Sequence, residues 1–156
     1  DVQAIEGRVE ELPMVANARV QRHWPNTAVI QVTERSAIYQ RRDANGYQWV
    51  ADNGMVFYTT PEPNPGTLVA TTSSVDARLL ADIAVVVQAI PAQVRPRVQA
   101  LQADSRAHIV LILDRNQQII WGGADHGAEK AAVLPALLTV VGTVYDVSAP
   151  AYPAVR

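Results

Sequence analysis

The spacing of apolar residues near the start of the chain changes from helical to alternating. Apolar positions three or four residues apart predict an amphipathic helix over residues 2–12, which Pro13 ends. Two alternating stretches, Ala18–His23 and Thr27–Glu34, are typical of half-buried strands and are joined by the turn HWPN. Residues 1–35 are therefore predicted to form helix–strand–strand. The apolar helix positions are Val2, Ile5, Val9 and Leu12.

Tight turns then divide the chain into shorter strands. SAIYQRR, YQWVA and MVFYTT are typical of strands, and the Asn-Gly pairs at 45–46 and 53–54 favour primed hairpin turns. After the loop PEPNPG and a strand at Thr67–Ala70, Ser73 and Asp76 have the spacing of a helix capping box. The buried stripe of that helix, which Pro91 ends, is predicted to be Leu80, Ile83, Ala84, Val87 and Ile90.

The second half follows a similar order. RVQALQAD, HIVLILD and QIIWGG predict three strands joined by turns at DSRA and DRNQ. A helix is predicted over about Ala128–Val141, and Pro135 inside it should kink or split it. The closing segment, residues 144–156, is predicted to be extended throughout. The pattern as a whole indicates an α+β fold.

Composition narrows the possible functions. The chain has 156 residues, 49% of them hydrophobic and 18% charged, which permits one large or two small domains with a real core. A net charge of −2 argues against nucleic-acid binding. The absence of cysteine excludes disulfides and thiolate catalysis. No apolar run reaches the roughly 18–20 residues of a membrane span, and the start DVQAIEGRVEE does not have the pattern of a signal peptide. Because the sequence begins without Met, we expect it to be part of a longer protein.

The most enzyme-like stretch is WGGADHGAEK, residues 121–130. Its glycine spacing resembles a phosphate loop, but Ala128 and Glu129 stand where Lys and Ser or Thr are required. We therefore interpret it as a strand-to-helix turn. Asp125 and His126 are a candidate acid–base pair for a hydrolase, although adjacent residues rarely face each other, so a polar loop is the preferred interpretation. The histidines show no metal-site spacing, and no cofactor is predicted.

Neither the basic residues near the start of the chain nor the aromatic residues along it are interpreted as binding sites. Arginines at five positions make this part locally basic, which could attract anionic lipid or an acidic partner, but neighbouring acidic residues favour a solvated face of mixed charge. The arginines are Arg19, Arg22, Arg35, Arg41 and Arg42. The aromatic residues predicted to fill the core are Trp24, Trp49, Phe57 and Trp121.

The closing segment is a candidate interaction site. A last strand often lies at a sheet edge, where Pro150 and Pro153 remove hydrogen-bond donors and block aggregation. Such an edge can also accept a strand from a partner. The residues alone leave both alternatives open, a protected edge and a docking edge.

Four stretches, in order, resemble the FtsQ/DivIB family of bacterial cell-division proteins. These are LPMVANARVQRHWPNTAVIQVTER at 12–35, WVADNGMVF at 49–57, WGGADHGAEKAAVLPALL at 121–138 and VYDVSAPAYPAV at 144–155. The third carries Lys130, Leu134, Leu137 and Leu138. The first is the most specific, and its matching residues are Leu12, Pro13, Val15, Ala18, Val20, Arg22, Trp24, Pro25, Thr27, Ile30, Val32, Glu34 and Arg35.

The resemblance implies an organisation in two domains. Residues 1–35 would be the C-terminal part of a POTRA domain, helix–strand–strand without the family's first strand and helix. Residues 36–156 would be the family's β domain, a mixed β-sheet with two helices. An upstream helix would anchor the full-length protein in the cell membrane as a single-pass protein, with this part extracytoplasmic at the division septum.

The resemblance also implies a non-enzymatic scaffold of the divisome. The expected partners are FtsB and FtsL homologues, chiefly FtsB, which would add a strand at the closing edge, and other divisome proteins. In the first domain, Arg22, Trp24 and Glu34 are weaker candidates. The rival functions are a POTRA-containing envelope assembly or secretion component and a hydrolase using the 121–130 loop. The predicted partner-binding residues are Asp146, Val147, Ser148, Ala149, Ala151, Tyr152, Pro153, Ala154 and Val155.

Overall fold

The computed structural model describes residues 1–156, which form two compact units. The first unit is Asp1–Ser36 and the second is Ala37–Arg156. Each unit has a sheet of its own, with two strands in the first and nine in the second. The fold is α+β, as predicted.

The first unit is helix–strand–strand, as the periodicity predicts. Helix α1 spans Val2–Glu10, and strands β1 (Val15–His23) and β2 (Thr27–Glu34) form an antiparallel hairpin. The side chain of Asp1 caps the helix by accepting a hydrogen bond from Gln3 N at 3.1 Å. The helix ends two residues before the predicted Leu12.

Two glutamates of α1 satisfy backbone donors of β1. Glu6 Oε1 accepts a hydrogen bond from Val20 N at 2.8 Å, and Glu10 Oε1 accepts one from Ala18 N at 3.0 Å. Val20 and Ala18 are themselves buried, and an unpaired backbone N–H at a buried position is costly. The helix therefore holds the strand through specific polar contacts as well as through apolar packing.

Trp24 lies at the tip of the hairpin and is 95% exposed, so the prediction that it fills the core is wrong. The reason is local, because the turn places Trp24 beyond the last residue pair of the two strands, His23 with Thr27. The other predicted core aromatics are in the second unit, where Trp121 and Phe57 are buried and Trp49 is half-buried against Phe57 and Tyr58.

The second unit is one mixed sheet with two helices. Helix α2 spans Ala77–Ala89 and helix α3 spans Gly127–Leu137, with a short 3-10 turn at Arg95–Arg97. The strands in chain order are β3 Tyr39–Asp43, β4 Gly46–Val50, β5 Val56–Thr60, β6 Val69–Thr72, β7 Val98–Ser105, β8 His108–Leu113, β9 Gln118–Gly122, β10 Val144–Asp146 and β11 Ala154–Val155.

The order of strands across this sheet is β11-β10-β9-β8-β7-β6-β3-β4-β5. The pairs β3–β6, β6–β7 and β9–β10 are parallel, and the others are antiparallel. The apolar residues of α2 pack with the central strands into one core, and all five residues of its predicted stripe are buried. The first and last positions of the order are the two open edges, so the closing strand β11 lies at one of them.

Local details of two helices differ from prediction. The side chain of Asp76 caps α2 by accepting from Arg78 N at 2.7 Å, whereas Ser73 Oγ donates to Asp104 O at 2.8 Å. Ser73 therefore ties the strand ends together and does not cap the helix. Helix α3 continues through Pro135 without being split and ends two residues later at Leu137, before the predicted Val141.

A primed hairpin turn is present in the DRNQ segment, which contains no glycine, and not at the Asn45-Gly46 pair for which it was predicted. Asp43 pairs with Gly46, so Ala44 and Asn45 form the β3–β4 turn, and neither has a positive φ. In the DRNQ turn, in contrast, Arg115 and Asn116 have φ values of 58° and 57°. Two consecutive left-handed residues are the signature of a type I′ turn. The hairpin after β3 is confirmed, but its turn type is not the one predicted.

Burial of Tyr39 makes stability sensitive to alkaline pH. Its hydroxyl donates to Leu80 O at 2.8 Å, and burial raises the pKa of Tyr39 while the charge of Arg41 lowers it to a smaller extent. Because the pKa of Tyr39 is higher in the folded than in the unfolded state, the stability that its neutral hydroxyl contributes is fully present below the usual tyrosine pKa of about 10. This stability is lost as the pH rises above that value. The free energy of unfolding should fall there by about 1.4 kcal/mol per pH unit from this group.

Urea unfolding between pH 8 and pH 11 tests the role of Tyr39. Tyr39→Phe should be less stable at pH 8 and should lose less stability at higher pH than the original chain. Tyr152→Phe, at an exposed position, is the matched control and should keep the original slope. Equal slopes for the original chain and Tyr39→Phe would contradict the assignment.

Candidate partner-binding site

The closing segment forms a turn between two short strands. Asp146 Oδ1 accepts hydrogen bonds from Ser148 N at 2.9 Å and from Ser148 Oγ at 2.6 Å, and Tyr152 N donates to Ala149 O at 2.9 Å. The chain then returns as β11, antiparallel to β10. The prediction of continuous extension is therefore wrong over residues 148–152, whereas Val147 N still donates to Ile120 O of β9. Local side-chain hydrogen bonds and prolines, which lack a donor, favour the turn.

Most of the predicted contact residues are accessible on this segment. Tyr152 is 85% exposed, and Asp146 and Val155 are half-buried, with Val155 packing against the core. Val147 is fully buried, so it cannot offer its side chain to a partner, and we remove it from the set of contact side chains. The remaining exposed residues are Ser148, Ala149, Ala151, Pro153 and Ala154.

The closing segment also forms one wall of a groove at the start of α3. This groove, called the partner groove below, has a volume of about 580 Å³. Strands β9 and β10 are parallel, so the loop that follows β9 and the turn that follows β10 lie at the same end of the sheet. Sequence reasoning missed this neighbourhood, because only the parallel pairing reveals it. The residues that line the groove are His126, Glu129, Ser148, Ala149, Pro150, Ala151 and Tyr152.

A buried lysine holds the loop that leads into α3. Lys130 is 0% exposed, and its Nζ donates to Gly123 O at 2.9 Å. The same Nζ lies 3.6 Å from Asp125 Oδ1 and 5.9 Å from the centre of the Trp121 ring. Gly122, at the start of this loop, has a φ of 85°, which confirms a strand-to-helix turn that uses glycine geometry.

The side chains of Asp125 and His126 do approach each other, contrary to prediction. Asp125 Oδ2 lies 3.7 Å from His126 Nε2, and Glu129 Oε2 lies 3.7 Å from His126 Nδ1. The left-handed backbone of His126, with a φ of 54°, turns its ring back toward its neighbours. These distances are too long for hydrogen bonds, and all three side chains are more than 60% exposed. No group of three or more ligating side chains could hold a metal ion.

The candidates in the first unit do not form one site. Arg22 and Trp24 line a cavity of about 350 Å³ at the tip of the hairpin. Glu34 pairs with Val15 at the opposite end of the two-stranded sheet. The hairpin tip thus brings two of the three predicted residues together and leaves the third apart.

None of the three helices combines the length and apolarity that crossing a membrane would require.

Comparisons with known proteins match both units. Residues 1–35 match the family model described as POTRA domain, FtsQ-type, and residues 37–150 match the model described as cell division protein FtsQ/DivIB, C-terminal. The solved extracytoplasmic domain of DivIB from Geobacillus stearothermophilus is similar in fold, with a TM-score of 0.52 at 15% identity, over 67% of this chain and 91% of that one.

Curated relatives extend the match across the whole chain. The chain is 36% identical to cell division protein FtsQ of Mycolicibacterium smegmatis, over 100% of this chain and 47% of that protein. It is 34% identical to FtsQ of Mycobacterium tuberculosis strain H37Rv, over 100% and 50%, and 30% identical to FtsQ of Streptomyces bingchenggensis, over 99% and 63%. The chain spans about half the length of the mycobacterial relatives.

A POTRA-type unit followed by a mixed-sheet unit, matched throughout to division proteins, defines a bacterial cell-division protein of α+β fold. The chain belongs to the FtsQ/DivIB family. This membership contradicts the alternative of an outer-membrane assembly or secretion component.

Proposed function

We propose that this chain is the extracytoplasmic part of a non-enzymatic divisome scaffold, anchored in the membrane by an upstream helix. It would bind FtsB and FtsL homologues, with a strand of the FtsB homologue added to β11. The observation that carries this proposal is that β11 forms an open edge of the nine-stranded sheet, beside the exposed Tyr152. A free edge supplies backbone hydrogen bonds, and a large exposed aromatic ring supplies an anchor.

The register of β11 indicates which backbone groups a partner strand would use. Val144 N donates to Arg156 O at 3.0 Å and Arg156 N donates to Val144 O at 2.9 Å, so this is a hydrogen-bonded pair. Hydrogen-bonded and non-hydrogen-bonded pairs alternate in antiparallel strands. The next pair, Tyr145 with Val155, therefore leaves the N–H and C=O of Val155 directed at the open edge. Pro153 offers only a carbonyl there.

A pair of substitutions at one position separates backbone from side-chain recognition. Val155→Pro removes the outward N–H, and Val155→Ala removes side-chain atoms but keeps that N–H. Binding of each variant to the extracytoplasmic segment of the same organism's FtsB homologue is measured by titration calorimetry. Val155→Pro should weaken binding by about tenfold or more, the equivalent of losing a hydrogen bond of about 1.5 kcal/mol, and Val155→Ala should weaken it less.

The opposite edge of the sheet provides the control. Tyr58, on edge strand β5, is 46% exposed, and Tyr58→Ala should leave the affinity unchanged. A loss with Tyr58→Ala, and none with Val155→Pro, would move the binding site to the other edge. No binding by the original chain would contradict the proposed partner.

A hydrolase using the 121–130 loop is not supported by the geometry. Asp125 and His126 are mostly exposed and are too far apart for a hydrogen bond. A catalytic pair requires a base held in hydrogen-bond contact and a pocket of convergent polar groups. Besides His126, Glu129 and Ser148, the partner groove is lined by Ala149, Pro150, Ala151 and Tyr152, so apolar atoms make up much of its surface. This composition suits a docking surface.

A further inference from the structure

The two walls of the partner groove differ in chemistry. One wall is the turn of the closing segment, which contributes Ala149, Pro150 and the exposed ring of Tyr152. The other wall is the start of α3, which contributes His126 and Glu129. A side chain that fills this groove must therefore lie against apolar atoms and also end near a carboxylate.

The negative charge at the groove is only partly compensated within the chain. The Asp125 carboxylate is partly neutralised by the ammonium group of the buried Lys130, whose Nζ lies 3.6 Å from Asp125 Oδ1. No lysine or arginine pairs with Glu129, and the imidazole of His126 lies 3.7 Å from its carboxylate. The Glu129 side chain is 62% exposed and free to pair with a group from outside.

We propose that the partner groove receives an arginine or lysine of the partner segment, whose aliphatic stem lies on Pro150 and Tyr152 and whose charged end pairs with Glu129. A long basic side chain matches both walls, because it packs its methylene groups on apolar surface while its charge stays at the rim. The Tyr152 ring adds a cation–π contact. A purely apolar side chain would desolvate the Glu129 carboxylate without replacing its hydrogen bonds.

This proposal rests on the proposed function and gives it a specificity determinant. Strand addition at β11 uses backbone groups, which every sequence has, so it cannot by itself select a partner. A charge pair beside the edge discriminates, because a partner with an acidic residue in the same register would be repelled by Glu129.

The test measures the affinity for the extracytoplasmic segment of the FtsB homologue with Glu129→Gln and Glu129→Lys. We expect Glu129→Gln to weaken binding about three- to tenfold and Glu129→Lys to weaken it further. The loss should shrink when sodium chloride is raised from about 0.05 to 0.5 M, because salt screens an exposed pair. Glu62→Gln and Glu62→Lys, in the exposed loop at 61–66, are the matched controls and should have no effect.

Charge reversal on the partner identifies the basic residue. Each Arg and Lys of the segment is changed singly to Glu, and one of these variants should regain affinity for Glu129→Lys. If the original chain binds and Val155→Pro weakens binding, but the Glu129 variants match the Glu62 controls, this inference is overturned and the proposed function stands. If the original chain does not bind the segment, the proposed function itself fails.

Discussion

Replacing Lys130 by alanine is expected to lower the free energy of unfolding by about 2–4 kcal/mol. The side chain is fully buried, its methylene stem fills space beside Trp121, and its Nζ donates to Gly123 O. Alanine removes the stem and leaves this carbonyl without its donor. Because Gly123 and Asp125 belong to the loop before α3, the substitution should also loosen one side of the partner groove.

Lys130→Met separates the two parts of this effect. Methionine restores apolar volume but no donor, so we expect it to recover part of the loss, with about 1–3 kcal/mol remaining for the unsatisfied polar group. Urea unfolding measures both values. Glu129→Ala, at an exposed site in the same helix, should change stability by less than about 0.5 kcal/mol. A loss below about 1 kcal/mol for Lys130→Ala would show that the buried ammonium is not stabilising.

Local patterns predicted most of the elements because a helix or strand that packs one face on a core repeats its apolar residues with its own period. In the first unit, the change from helical to alternating spacing defines α1 and the β1–β2 hairpin, and their order agrees with the structure. The buried stripe of α2 is likewise visible in the sequence, because a helix between a core and solvent must repeat its apolar residues every three or four positions.

Where the prediction failed, a residue had two local options and tertiary contacts decided between them. Ser73 has the spacing of a helix cap, but its hydroxyl finds Asp104 O on the neighbouring strand. Trp24 is the largest apolar side chain in its region, yet the hairpin turn leaves it beyond the sheet. Apolar character predicts burial only when the backbone carries the residue to a core.

Only the closing strand of the candidate site could be predicted from the sequence. The closing strand could be predicted at an edge because chain order and Pro153 both favour that position. Glu129 and His126 could not be assigned to the same site, because they are about 20 residues from Ser148 along the chain. They meet the closing segment only through the parallel pairing of β9 with β10. Parallel pairing is non-local and leaves no period in the sequence.

Substitution of Gly142 by alanine should weaken partner binding by about 30-fold or more while most of the core stays folded, the equivalent of about 2 kcal/mol. A Cβ at Gly142 would overlap the Cγ1 atom of Val155 and would lie 2.9 Å from Arg156 O. Strand β11 is short and pairs with β10 through only two register pairs and the neighbouring hydrogen-bonded pair of Val144 with Arg156, so it is the element that we expect to move. The edge that the partner strand needs would then be displaced.

A double-mutant cycle tests this mechanism. Adding Val155→Ala to Gly142→Ala removes the Cγ1 atom that the new methyl group meets, so binding should recover in part, and the two effects should not be additive. Calorimetry measures the affinity, and urea unfolding checks that Gly142→Ala costs less than about 2 kcal/mol of global stability. Unchanged affinity in Gly142→Ala would mean that recognition does not depend on the position of β11. Equal losses in the single and double variants would mean that the new methyl group acts through contacts other than Val155.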